Sequence, residues 1–163
     1  MIKKLFLILF FLNITTNSYS AGSDSNSTTS KVKSDYDKAV ESIKFAKKFE
    51  KKGKIKKAMK RYTKAQKLLL KSNSKKPNQA DTLNYLGFTT RKLGDYENGE
   101  KYYLLGLKID PNHNGINEYL GELYVATNRM DLAKERLKVL ENCSCEEYNE
   151  LKQVIDGSKK SKY

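Results

Sequence analysis

Residues Asn84–Tyr96 read NYLGFTTRKLGDY, and 34 residues further on Glu118–Met130 read EYLGELYVATNRM. Leu86-Gly87 aligns with Leu120-Gly121, Gly94 with Asn128, Tyr96 with Met130, Gly99 with Ala133 and Tyr103 with Leu137. A third copy lies upstream, where Phe45-Ala46 takes the Leu-Gly place and is followed by Phe49, Gly53, Ile55, Ala58, Tyr62 and Ala65. It precedes the second copy by 41 residues because KSNSKKP (71–77) lengthens the connection.

Each copy contains two apolar-periodic segments, 39–52 with 54–71, 79–93 with 95–109, and 114–127 with 129–141. Their apolar spacing is that of amphipathic helices. The breaks carry Gly53, Gly94 or Asn128, which tolerate the left-handed conformation that ends a helix. Gly87 or Gly121 on the first helix, and Ala58 or Ala133 on the second, let two backbones approach closely. Phe49, Tyr62, Leu83, Tyr103, Tyr124 and Leu137 fill the space around that contact. Asp110-Pro111 closes the second unit, since Pro cannot continue a helix ladder. Gly99 and Gly106 sit mid-helix, where Gly costs about 0.5–1 kcal/mol relative to Ala. Either that helix is weak or something packs unusually close to it.

A 34-residue period with small residues in these places resembles the tetratricopeptide repeat (TPR), over about 39–145. The resemblance implies an all-α, TPR-like α-solenoid with three helix pairs, at about 39–72, 80–113 and 114–147, in a domain of 35–156. Such stacks need an end cap with one polar face. CSCEEYNELKQVI (143–155) supplies it: Ser144 followed by Glu147 reads as a capping box, and Tyr148, Leu151, Val154 and Ile155 recur at helical spacing. The expectation is therefore three pairs plus a cap helix at 146–156, stopped by Asp156-Gly157.

The resemblance also implies a site, because the first helix of each TPR unit lines a concave groove that takes a peptide. The outward positions map to Lys44, Lys47 and Lys51, then Asn84, Tyr85, Phe88 and Arg91, then Glu118, Tyr119 and Glu122. Aromatic anchors beside Arg and Asn suit a peptide hot spot. The competing reading packs Phe88 and Tyr119 between neighbouring units. The family's carboxylate clamp of Lys, Asn and Arg is not reproduced, since Glu118 and Glu122 would repel a terminal carboxylate.

The two ends read differently from the repeats. Met1–Lys4 is a short basic start, Leu5–Leu12 is apolar, and Ser18 and Ser20 stand three residues and one residue before Ala21. This is the layout of a secretory signal peptide over 1–20, too short to span a bilayer, with a retained anchor as the rival reading. Residues 21–34 read as a flexible leader and 157–163 as a disordered tail, both too polar to offset their ordering entropy. Export is expected, to the periplasm in a bacterium with two membranes.

Charge is uneven along the 163 residues, whose net charge is +13. Residues 31–76 carry 18 Lys/Arg against 4 acids, a net +14, whereas residues 77–163 carry 12 against 14. Such a patch suits an anionic membrane surface, an acidic partner or nucleic acid. Export argues against nucleic acid, and a solvated Lys-rich face is the plain alternative.

Cys143 and Cys145 flank one residue, and export permits a disulfide between them. That spacing forces tight geometry and an easily reduced bond. Free or intermolecular thiols and a soft metal such as Cu(I) are the alternatives; two thiolates without a nearby His fall short of tetrahedral zinc. Two Cys before a Glu-Glu-Tyr helix also resemble the end of some exported bacterial TPR proteins. His113 reads as a solvated loop residue. No Ser/His/Asp set, paired-His spacing, phosphate loop or dinucleotide Gly pattern is present. The sequence therefore reads as a non-enzymatic, exported adaptor for a peptide or protein, without cofactor or metal. The rival is a membrane or polyanion binder working through the first repeat.

Overall fold

The computed structural model describes residues 32–160. The signal-peptide reading, and the leader up to Lys31, lie outside the described residues. Among the described residues seven helices follow in order: α1 (Asp35–Lys51), α2 (Ile55–Lys75), α3 (Ala80–Lys92), α4 (Tyr96–Ile109), α5 (Asn114–Ala126), α6 (Met130–Leu140) and α7 (Glu146–Ile155). Among the described residues there is no strand, and no helix is long and apolar enough to cross a membrane. The all-α helical repeat holds.

Local chemistry sets the ends. Gly53 (φ 66), Gly94 (φ 95) and Asn128 (φ 58) are all left-handed, so the turn inside each pair is made as their residue types dictate. α1 starts earlier than its apolar period, because Ser34 and Asp37 form a capping box. Asp37 N donates to Ser34 Oγ at 3.1 Å, and Ser34 N donates to Asp37 Oδ2 at 3.1 Å. The Ser144–Glu147 box is not formed. Ser144 is itself left-handed (φ 48), and Cys145 takes the N-cap position with no side-chain capping bond.

Helices pack on their chain neighbours, and α7 lies against both α5 and α6. One apolar cluster joins Ala39, Ile43, Ala46, Tyr62, Leu69 and Leu86 across α1 to α3. A second joins Tyr103, Ile116, Leu120, Leu123 and Ala133 across α4 to α6.

Glycine spacing makes these contacts close. A Cβ on Gly87 would fall 2.5 Å from the fully buried Tyr103 ring, so the ring packs directly on bare backbone. A Cβ on Gly99 would lie 3.2 Å from Gly87 O and from Arg91 Cβ. Close packing therefore accounts for the mid-helix Gly99. Gly121, the repeat partner of Gly87, instead receives Leu151 of α7, whose Cδ2 is 2.5 Å from the Cβ position. Leu151 is fully buried there, a placement worth roughly 1.5–3 kcal/mol of apolar transfer. Beyond α7, Lys159 N donates to Gln153 O at 3.0 Å, and the Lys159 ammonium meets Glu150. The polar tail thus stays on the fold as far as these bonds reach.

Candidate functional site

The face made by α1, α3, α5 and α7 gathers the residues that the repeat register points outward. It does not leave them in one open groove. Phe88 is 2% exposed, and Asn84, Arg91, Glu118 and Glu122 are also buried, while Tyr85, Tyr119 and Lys47 are half-buried and Lys51 is exposed. Phe88 is therefore no exposed anchor. Its ring sits between Tyr62 (centroids 5.7 Å apart) and Tyr119 (5.1 Å), the packing between units that the sequence left as the competing reading. Lys44 stands apart from this face, in a hollow with Lys33, Tyr36 and Phe45.

A charged partition runs across the middle. Arg91 Nη1 donates to Tyr119 O at 2.6 Å, and its Nη2 lies 3.7 Å from Glu122 Oε2, with both side chains wholly buried. Lys47 Nζ donates to the Tyr119 hydroxyl at 3.2 Å and stands 4.7 Å above the Phe88 ring centre. Burial, and then the Glu118 charge, push the Tyr119 phenol pKa well above its ordinary value, so it stays protonated. Carboxylates of Glu118, Glu122 and Glu150 lie within 4.8 Å of one another. Arg91 answers Glu122 and Lys159 answers Glu150, so this trio belongs to an internal ion network.

On one side of the partition, Lys47, Lys51, Phe88 and Lys92 line a cavity of about 540 Å³ with Glu50, Glu146, Glu150 and Lys159. Its cations are largely committed: Lys92 Nζ is 2.7 Å from Glu50, and Lys159 is on Glu150. On the other side, α3, the α4–α5 turn, α5 and α7 border an open hollow of about 430 Å³. Asp81, Asp110, Glu118 and Glu147 supply carboxylates there, Tyr85 and Tyr119 supply rings, and no Lys or Arg lines it. Asn84, 6% exposed, also lines it, and its Oδ1 has no hydrogen-bond partner. Gly115 leaves room for that amide, since a Cβ would come within 2.8 Å of Asn84 Nδ2.

His113 is not the solvated loop residue expected from sequence. Its Nδ1 accepts the Ile116 N–H at 3.2 Å, capping α5, which leaves the ring proton on Nε2, 3.1 Å from Asp81 Oδ1. Sequence reasoning missed Asp81, Asp110 and Glu147 because they come from separate elements with no common spacing. A polar residue just before Asn114-Gly115-Ile116 was the one available sign of the His113 cap. Cys143 and Cys145 are bonded to each other with Cα atoms 5.1 Å apart, so neither is a free thiol or a metal ligand here.

This is the architecture of a helical-repeat solenoid with a groove face and a cap. Residues 80–113, spanning α3, α4 and the turn after them, match the family model of the tetratricopeptide repeat. No curated protein matches it by sequence. Among solved structures it is similar to the first TPR of Spaghetti (RPAP3) bound to the HSP90 peptide SRMEEVD. That similarity is at 21% identity and a TM-score of 0.48, covering 78% of this chain and 97% of that one.

Proposed function

We infer that this protein is an exported interaction scaffold whose groove face receives a basic segment of a protein partner. The observation that carries the reading is the cavity between α3, α5 and α7, with four carboxylates and no Lys or Arg in a chain of net charge +13. A cationic side chain entering it would meet carboxylates on several sides, two tyrosine rings for cation–π contact, and the spare acceptor of Asn84. An acidic peptide would meet repulsion there. Export rests on the signal-like first twenty residues.

The test is selection of a random-peptide phage library on the full chain, repeated on Asp81→Asn/Glu147→Gln. Both side chains lie at the cavity rim, and circular dichroism checks that the variant keeps its helices. Lys- or Arg-bearing peptides should dominate the wild-type selection and lose at least tenfold in affinity on the variant. Enrichment of acidic peptides, or equal binding by both proteins, would overturn the reading.

A further inference from the structure

The lysines of α2 form a surface that the groove does not use. Lys56, Lys60, Lys64, Lys67, Lys71 and Lys75 are spaced by 4, 4, 3, 4 and 4 residues, and all six are exposed. At 3.6 residues per turn that spacing keeps them on one face, opposite buried Ala58, Tyr62, Ala65 and Leu69, in a row about 28 Å long. The helix, IKKAMKRYTKAQKLLLKSNSK, contains no acidic residue. Asp35 of α1 answers the last two lysines, at 3.5 Å from Lys71 and 2.7 Å from Lys75. Lys56, Lys60, Lys64 and Lys67 make no ion pair among the described residues.

Apolar side chains border the row. Ile55, Met59 and Leu70 are 53%, 38% and 45% exposed, and Met59 and Leu70 lie along one flank by helical register. We propose that the outer face of α2 docks on an anionic lipid bilayer, with the lysines among the headgroups and the Met59–Leu70 flank dipping beneath them.

Three features favour a bilayer over a folded polyanion. The row is straight and built of flexible point charges, which suit diffuse headgroup charge. Fixed phosphates are better matched by the planar fork of Arg, and Arg61 is held over the Phe45 ring, 5.3 Å from its centre. Exposed aliphatic side chains gain from lipid contact and gain nothing along a hydrated polyanion. The surface lies away from the groove cavity, so this proposal stands or falls separately from the groove reading.

The experiment is co-sedimentation of the full chain with phosphatidylcholine vesicles, with and without phosphatidylglycerol, at low and high salt. Each headgroup-facing lysine contributes roughly fivefold to partitioning, so Lys56→Gln/Lys60→Gln/Lys64→Gln/Lys67→Gln should weaken binding to anionic vesicles by several hundred-fold. High salt should do the same to the wild type. Met59→Ser/Leu70→Ser should weaken vesicle binding and leave heparin binding unchanged. Pure phosphatidylcholine vesicles report any contribution of the apolar Leu5–Leu12 stretch, which wild type and variants share. Equal binding to both vesicle types, equal binding by the four-lysine variant, or heparin binding without vesicle binding would each overturn the proposal.

Discussion

The outer face of α2 and the inner face of α3, α5 and α7 handle charge in opposite ways. On α2, four lysines point to solvent with no carboxylate assigned to them. On the inner face Arg91 has Glu122, Lys92 has Glu50 and Lys159 has Glu150. Water screens and hydrates an exposed charge, so its partner is optional. A buried charge keeps its desolvation cost unless a partner and hydrogen bonds offset it. The net charge of a segment therefore describes its outside. Charge in the interior can be read only pair by pair.

The comparison breaks hardest at Arg91. Arg91→Met leaves Glu122 buried beside the Glu118 and Glu150 carboxylates without its guanidinium, and should cost about 3–5 kcal/mol in denaturant unfolding. Arg91→Met/Glu122→Leu should recover most of that loss; a double variant as unstable as the single would show that Arg91 acts through packing instead.

Gly87→Ala comes next. The added carbon meets the Tyr103 ring, which is enclosed on all sides, and the expected cost is about 1–3 kcal/mol. Gly121→Ala should cost less, because the nearest atoms are the two terminal methyls of Leu151, with Cγ behind them at 3.2 Å, rather than a rigid ring. Equal falls in Tm would refute that distinction.

The smallest effect belongs to Asp35, which pairs with the last two lysines of the row. Hydrogen bonding from Lys75 holds the Asp35 carboxyl below its ordinary pKa. A depressed carboxyl stabilises the fold above its unfolded pKa of about 3.9, and that contribution is lost as pH falls through the lower folded value. Asp35→Asn should therefore lower Tm slightly at neutral pH and low salt, and not at all in high salt or strong acid.

Much of the fold was legible because its repeat is written in residues with few alternatives. Gly87, Gly121 and Ala133 admit close neighbours, and Gly53, Gly94 and Asn128 take the conformation that ends a helix. Every helix pair followed from those positions. The face was legible only as a direction. Periodicity points Phe88, Arg91 and Glu122 inward to the groove, but what stands opposite them is supplied by Lys47, 41 residues before Phe88, and by Glu150 and Lys159 near the C-terminus. The acidic cavity was invisible for the same reason, being assembled from α3, a turn, α5 and α7. The cap box failed on one backbone angle, at Ser144, which no side-chain pattern announces.

The bond from Lys47 to Tyr119 spans 72 residues, although the backbones of α1 and α5 do not touch. Most ties in a helical stack link neighbours and can form one after another. This one closes a loop whose entropy is recovered only after α2, α3 and α4 have taken their places. The Tyr119 hydroxyl is thus a register of completeness: its surroundings become native when the first repeat and the third have both arrived.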